Sequence, residues 1–310
     1  MAGLLRIRLS GAYRIDQRLD KLVDALAPLI ETGEPKNVEL DLHGLVSVGP
    51  TALALLSAVL KDAYERGAIA GLTIRWGSGS VRNYLLRMDF LKVLIGEEQY
   101  AKYSDEPFKR RKAVSFRPVS EFTTADECHR IARELTDAVA ATCKTDKVAR
   151  NAIRICFEEL AENVIQHADA PMGGFAAAQG WRKRPAIEIG IVDLGIGIRA
   201  SLTKNPDFAD IADDVDAIET ALRPRVSSTP ERNAGIGLFI TKLLLRENGG
   251  VLLVRSGRGA VYSGSREARQ SPAVAFPGTL VALRARTDRP LNINEVYRAL
   301  EDADSGNDSD

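Results

Sequence analysis

The chain has 310 residues, and its 42 basic and 42 acidic side chains give a formal net charge of zero. This balance provides no general electrostatic attraction to nucleic acid or to a membrane surface, so neither is expected as a partner. Hydrophobic residues make up 45% of the chain and charged residues 27%, which is typical of a folded globular protein and unlike a disordered one.

Neither a membrane-spanning segment nor a cleaved signal is predicted. No apolar run reaches about 18 residues, and residues 1–6 have the pattern of a strand start. The three cysteines, Cys128, Cys143 and Cys156, lack the spacing of metal ligands, so we expect reduced structural thiols. A cytoplasmic protein with two domains follows from these observations.

Strands alternate with helices in the first hundred residues. Periodicity predicts strands at 4–9, 37–42 and 72–76, and helices at 17–31, 50–65 and 81–94. This alternation predicts an α/β domain with a mixed sheet and helices over one face.

Two segments of this first domain carry a family resemblance. Residues 38–45, Val-Glu-Leu-Asp-Leu-His-Gly-Leu, and residues 50–56, Pro-Thr-Ala-Leu-Ala-Leu-Leu, resemble the STAS domain of bacterial anti-sigma-factor antagonists. The resemblance covers about residues 1–98. It implies a STAS-like fold for this region.

The chain departs from that family at the start of its central helix. In the family this position has the motif Asp-Ser-Ser-Gly, and its first serine is the residue that becomes phosphorylated. This chain has Gly49-Pro-Thr-Ala52 instead. Proline has no hydroxyl, so the familiar switch cannot operate at Pro50. Thr51 is either a replacement phosphorylation site, favoured by the helix dipole, or simply a helix-starting residue.

Residues 99–117 are polar and irregular and predict a linker. Their basic run at 109–112 lacks interleaved aromatic residues, so a solvated surface is favoured over a nucleic-acid site. The second domain is expected over 118–288, followed by a C-terminal helix and an acidic disordered tail over 289–310. A polar connection at 199–234 is long enough to predict a lid.

Four short motifs follow one another in this second region. A predicted helix carries Glu159 and Asn163 one turn apart, and each later motif contains glycine. Taken separately, the glycine motifs are as typical of tight turns and helix starts as of a ligand site. Their succession is more specific, and the glycine motifs are Asp193-x-Gly195-x-Gly197, Gly235-x-Gly237 and Gly278-Thr279.

This succession resembles the GHKL, or Bergerat-fold, ATPases over about residues 118–286. Glu159-Leu-Ala-Glu-Asn163, followed by His167, is most similar to the anti-sigma-factor serine kinases of that family. The resemblance implies a Bergerat-fold α/β sandwich that binds ATP and Mg²⁺. It also implies that Thr279 lies beneath the adenine.

The residue types suit these roles. Asn163 offers a neutral oxygen to Mg²⁺, and Glu159 can take a proton from water or from a protein hydroxyl. Asp193 can accept a hydrogen bond from the adenine amino group, which guanine lacks at that position. The glycines have two tasks: Gly195 and Gly197 let the backbone approach the base, and Gly235 and Gly237 present amides to phosphate at a helix start.

Several lid cations are candidates for phosphate contact, and the sequence does not choose among Arg199, Lys204, Arg223, Arg225 and Arg232. The expected function is Mg²⁺-ATP hydrolysis, or phosphoryl transfer to a Ser/Thr hydroxyl of a regulatory protein partner, in bacterial partner switching. Such a partner would itself be STAS-like or related to sigma factors. One alternative is an ATP-gated interaction switch with little turnover, and another is a self-dimerising ATPase.

Overall fold

A computed structural model of the chain describes residues 2–15, 18–31, 33–103, 116–142, 145–181, 183–228, 235–265 and 267–298. Within these residues the fold is mixed α/β, as predicted, and contains a three-stranded sheet and a seven-stranded sheet. None of the helices in these ranges is long and apolar enough to cross a membrane.

The N-terminal unit, residues 2–103, alternates strands and helices. Its elements are β1 (Gly3–Tyr13), α1 (Leu19–Glu31), β2 (Lys36–Val48), α2 (Pro50–Glu65), β3 (Ile69–Arg75), α3 (Gly79–Arg87) and α4 (Phe90–Tyr103). The sheet order is β1-β2-β3 and both pairs are parallel. The expected mixed sheet is therefore wrong, because each helix crosses over and returns the chain to the same end of the sheet.

The helix predicted over 81–94 is divided into α3 and α4. Asp89 lies between them with a φ of 57°, a left-handed conformation that aspartate tolerates better than most residues. Met88 and Phe90, on either side, are both fully buried. Apolar periodicity thus continues across the break and conceals it from a sequence pattern.

The C-terminal unit, residues 116–298, contains the larger sheet. Its elements are β4 (Phe116–Phe122), α5 (Ala125–Thr142), α6 (Lys147–His167), β5 (Gly174–Trp181), β6 (Ala186–Asp193), α7 (Gly197–Leu202), α8 (Asp214–Ala221), α9 (Gly237–Asn248), β7 (Val251–Gly257), β8 (Gly259–Ser263), β9 (Ala268–Gln270) and β10 (Phe276–Arg286). The strand order is β4-β5-β6-β10-β7-β8-β9, with antiparallel neighbours throughout.

Two segments that were predicted to be irregular contain regular secondary structure. The first part of the linker expected at 99–117 belongs to α4, and its last residues belong to β4, which pairs with β5 and buries Val119. The basic run at 109–112 lies outside the described residues. The expected lid contains α7, a short 3-10 turn at Pro206–Phe208 and α8, and its residues 229–234 lie outside the description. At the C-terminus, residues 293–298 are helical and the acidic tail is not described.

The two faces of the seven-stranded sheet bury different cores. Helices α5, α6 and α9 cover one face. Side chains of the sheet that point to this face, such as Ala176 of β5 and Ile189 of β6, form one core with these helices. On the other face, Phe175, Ala177 and Val192 join the apolar core of the N-terminal unit, against which α2 packs. Successive side chains of a strand point to opposite faces, so each strand contributes to both cores.

The start of α2 is in close contact with β6. A Cβ at Gly190 would collide with the Thr51 backbone, so glycine permits this approach. Thr51 is fully buried, and its Oγ1 donates a hydrogen bond to Glu188 Oε1 at 3.0 Å. In this structure a protein kinase cannot reach the Thr51 hydroxyl.

Glu188 is a buried carboxylate with partners from both units. It is 1% exposed, and Arg284 Nη2 donates to its Oε2 at 3.0 Å. Burial raises the pKa of the Glu188 carboxyl, while Arg284 and the side chain and backbone N–H of Thr51 oppose that rise. Helix α2 has no side-chain cap of its own. The Glu188 carboxylate accepts a hydrogen bond from the Thr51 amide and so satisfies one of the free N–H groups at the start of this helix.

We predict that Thr51→Val lowers the free energy of unfolding by about 1–3 kcal/mol, because it removes a hydrogen bond from a buried carboxylate. Urea denaturation of the full chain measures the loss. Ser57→Ala is the matched control on the same helix, since the Ser57 hydroxyl is buried and has no hydrogen-bond partner within the described residues. Equal losses in the two variants would contradict the role given to Glu188.

Candidate functional site

Helix α6 provides one wall of the candidate site. Asp146 begins the helix by accepting a hydrogen bond from the Ala149 amide at 2.7 Å. Its apolar face is buried against α5 and α9, which leaves Glu159, Asn163 and His167 at four-residue steps along one side. All three side chains are half-buried, as expected at the edge of a cleft.

The cleft lies between α6, the ends of β6 and β10, the α7–α8 segment and the start of α9. Of the eight residues predicted for the site, six line it: Asn163, Asp193, Gly197, Gly235, Gly237 and Thr279. Gly195 and Glu159 lie beside it. The cavity among these residues has a volume of about 100 Å³, below the roughly 300–1,000 Å³ of typical ligand pockets, so a whole nucleotide would extend out of it.

Asp193 ends β6 and is 2% exposed. Its Oδ1 accepts hydrogen bonds from the amides of Gly195 at 2.9 Å and Thr279 at 3.2 Å. Burial raises the pKa of the Asp193 carboxyl to about 6, against the lowering effect of these two amides. Its Oδ2 accepts no hydrogen bond from any described residue, so one acceptor atom is available to a ligand.

A serine that the sequence analysis did not single out holds this end of the cleft together. Ser256 on β7 is buried, and its Oγ accepts from the Ile198 amide at 2.9 Å and donates to the Gly278 carbonyl at 2.8 Å. It therefore ties the start of α7 to β10. Gly197 and Gly278, both with a φ of 77°, supply the turns that these bonds require.

The start of α9 faces the same cleft. Gly237 is its first residue, and the preceding Ile236 provides no side-chain cap. Gly235, two residues earlier, has a φ of 64°. The first amides of α9 therefore have no capping side chain, and a helix start of this kind favours an anion.

Three glutamates of α6 have different surroundings. Glu158 forms an ion pair with Arg154 at 2.5 Å, and its Oε1 lies 3.3 Å from His129 Nδ1. Glu159 instead lies against Gly237, where a Cβ would meet its carboxylate, and it forms no ion pair with a described residue. Burial raises the pKa of the Glu159 carboxyl, and Glu162 and Glu158 raise it further.

His167 also lines the cleft and has a structural partner. Its Nδ1 lies 3.2 Å from Ser228 Oγ, and Ser201 Oγ lies 3.4 Å from the same hydroxyl. Burial lowers the pKa of the His167 imidazole, and the charge of Lys204 lowers it further. Of the lid cations, Lys204 pairs with Asp169 at 2.6 Å, and Arg232 lies outside the described residues.

The cysteines match their expected role where they are described. Cys128 and Cys156 are free and buried, and burial raises the pKa of each thiol to about 12. Cys143 lies outside the described residues. Within the described ranges, no three His, Cys, Asp or Glu side chains are grouped closely enough to hold a metal ion by themselves.

No protein-family model matches this chain, and no curated protein is significantly similar to it. The two family resemblances therefore stay predictions.

We predict that Asp193→Asn stabilises the chain relative to wild type above pH 6. The folded-state pKa of about 6 lies above the ordinary value of 3.8, so the stabilising protonated form is complete below pH 4 and is lost as the pH rises through 6. Asparagine keeps an oxygen for both amides and does not titrate.

The expected gain of the variant over wild type grows by up to about 3 kcal/mol between about pH 4 and pH 7.5. Urea denaturation at several pH values measures it. A difference that does not change with pH would contradict the burial of an ionised Asp193.

Proposed function

We propose that the chain binds Mg²⁺-ATP in this cleft and transfers its γ-phosphate to water or to a Ser/Thr hydroxyl of a regulatory protein partner. The observation that carries the proposal is the free Oδ2 of buried Asp193 at one end of a cleft whose other end is the uncapped start of α9. On this proposal the C-terminal unit is a Bergerat fold and the N-terminal unit is STAS-like, in a protein of the bacterial partner-switching type.

Adenine is the group that best suits the Asp193 end of the cleft. Apolar side chains of α6, β6 and β10, namely Leu160, Ile191 and Val281, form part of the cavity wall, and a flat ring can pack against them. Asp193 Oδ2 would accept a hydrogen bond from the adenine amino group. Guanine presents an oxygen at that position and would leave two acceptors facing each other.

Phosphates suit the other end. The amides that follow Gly235 and begin α9 have the positive end of a helix dipole behind them. Asn163 lines the same cleft, and its side-chain amide has no hydrogen-bond partner among the described residues. Its carbonyl oxygen can ligate a Mg²⁺ ion that otherwise binds water and phosphate oxygens, and such an ion neutralises phosphate charge.

Glu159 is positioned to act as the general base. It lies one helical turn before Asn163 and against the first residue of α9, where the terminal phosphate would lie. Its raised pKa makes it a stronger base than an exposed glutamate, although it accepts a proton only above that pKa. The accepted proton comes from the hydroxyl that attacks the phosphate.

One observation favours the alternative of an ATP-gated interaction switch. Side chains between β6 and α9 line the cleft, among them Ser201, Leu202 and Val226. A nucleotide would therefore contact the lid directly and bias its conformation. Turnover, rather than binding, separates this alternative from an enzyme.

We predict that Glu159→Gln lowers phosphoryl transfer by about 10²–10⁴-fold, because it removes the base and leaves the shape of the cleft unchanged. ATP affinity should stay within about twofold. Incubation with γ-labelled ATP, with and without candidate partner proteins, measures label in free phosphate and in serine or threonine. Glu247→Gln is the matched control, because Glu247 is exposed near the end of α9 and does not shift the Glu159 pKa, and it should keep full activity.

Undiminished turnover in Glu159→Gln would eliminate the assigned base. Nucleotide binding by the wild-type chain without label in either product would favour the switch over the enzyme. Failure of the wild-type chain to bind ATP would overturn the whole proposal.

We predict that Asn163→Ala weakens Mg²⁺-ATP binding by about tenfold, the loss expected for one ligand interaction of roughly 1.4 kcal/mol. Isothermal titration calorimetry with Mg²⁺ and with excess chelator measures it. Since the role of Asn163 is to ligate the metal, the variant and wild type should bind metal-free ATP equally. An equal loss with and without Mg²⁺ would show a packing role instead.

A further inference from the structure

We propose that a second cavity, between the N-terminal and C-terminal units, binds a small organic anion through a phosphate or carboxylate group. Its volume is about 410 Å³, within the roughly 300–1,000 Å³ typical of ligand pockets. Inorganic phosphate or chloride would fill only part of this space. The proposal does not depend on the ATP cleft.

The cavity exists because α2 packs on the seven-stranded sheet. The end of β2 and the start of α3 form one side, with Ser47, Ser80 and Tyr84. The β5–β6 turn and β10 form the other side, with Trp181 and Arg184 among the lining residues. A ligand here would therefore contact both units.

This cavity is distant from the candidate ATP cleft. Ala186 lines it at the first residue of β6, whereas Asp193 lines the cleft at the last. Seven residue steps of strand separate the two, which is about 23 Å at the usual rise. One small ligand cannot occupy both places.

Positive charge predominates in the cavity. Its charged lining residues are Arg14, Arg184 and Arg284, with Glu188 as the acid. Glu188 already accepts hydrogen bonds from Arg284 and Thr51. The two remaining arginines are therefore left to balance the charge of a bound anion.

Arg14 and Arg184 have capacity for that anion. Arg14 contacts Ser47 Oγ at 3.5 Å, the limit of a hydrogen bond, and Arg184 is exposed on the β5–β6 turn. Neither guanidinium forms an ion pair with a described residue. Arginine donors in a concave site bind phosphate and carboxylate groups, often with two parallel hydrogen bonds.

Neutral groups of the wall suit the remainder of an organic ligand. Tyr84 OH donates to Gln179 Oε1 at 2.9 Å, a hydrogen bond between the two units. Burial and the charge of Glu188 raise the pKa of the Tyr84 phenol, so it stays protonated. Trp181 adds a half-buried indole against which an apolar or flat part of the ligand can pack.

Trp181 also makes binding measurable. The chain has two tryptophans, Trp76 and Trp181, so the full-length Trp76→Phe protein reports the cavity by fluorescence. We expect a saturable change on titration with citrate as the carboxylate probe, or with inorganic phosphate as the phosphate probe, at constant ionic strength. Sodium chloride alone should give none.

Variants in the Trp76→Phe background assign the signal. Arg14→Gln combined with Arg184→Gln should weaken probe binding at least about tenfold, the effect of roughly 1.4 kcal/mol. Arg133→Gln, an exposed arginine on α5, is the matched control and should leave affinity unchanged. Asn163→Ala should also leave it unchanged, since it alters the other cleft.

Circular dichroism confirms that each variant is folded. If the double variant does not fold, Arg184→Gln replaces it, because Arg184 is exposed on a turn, and a weaker response is expected from that change by itself. The proposal is overturned if neither probe gives a saturable change. It is also overturned if the affinity falls with Asn163→Ala but not with the arginine variants.

Discussion

Burial of α2 between two sheets is the constraint on which both units depend. Twelve of its sixteen residues are buried, including polar Thr51 and Ser57. A helix that is apolar on every side has no solvent face, so one sheet cannot cover it. Helices α1 and α4 and the three-stranded sheet cover it on the N-terminal side, and the seven-stranded sheet covers it at β5 and β6. The interface is therefore continuous with the core of the N-terminal unit and cannot separate without exposing it to water.

Strand β6 connects this interface with the candidate site, because it contacts α2 and ends at the cleft. Glu188 points toward α2, and Asp193, five residues later, borders the candidate cleft. Both carboxylates are buried and both pKa values are raised by burial, but their partners differ. Glu188 is neutralised by a guanidinium and contributes to the interface. Asp193 has backbone amides on one oxygen and no cationic partner among the described residues, so its second oxygen is suited to a neutral donor such as an amino group.

The same contrast distinguishes the glutamates of α6. The sequence places three glutamates on this helix, Glu158, Glu159 and Glu162, and their residue type does not distinguish them. The fold pairs Glu158 with Arg154 and places Glu159 against α9. Desolvation without a compensating cation is what raises the Glu159 pKa. A candidate base therefore arises from the position of α9, and a candidate anion cavity arises from the position of α2. Packing between helices and the larger sheet creates both.

The local sequence pattern was sufficient to predict a helix, a side-chain spacing and most of the residues of the candidate site. The bounds of α2 agree with the sequence prediction, the one-turn spacing of Glu159 and Asn163 is a property of any helix, and six of the eight predicted site residues line one cleft. Only the tertiary structure decided the break at Asp89, the parallel pairing of β2 with β1 and with β3, and the roles of Ser256 and Ser228. It also brought Arg14 to the same cavity as Arg184, although 170 residues of sequence separate them. Helical and strand periodicity is set by neighbouring residues, whereas pairing, burial and pKa values depend on residues distant in the chain, which periodicity does not encode.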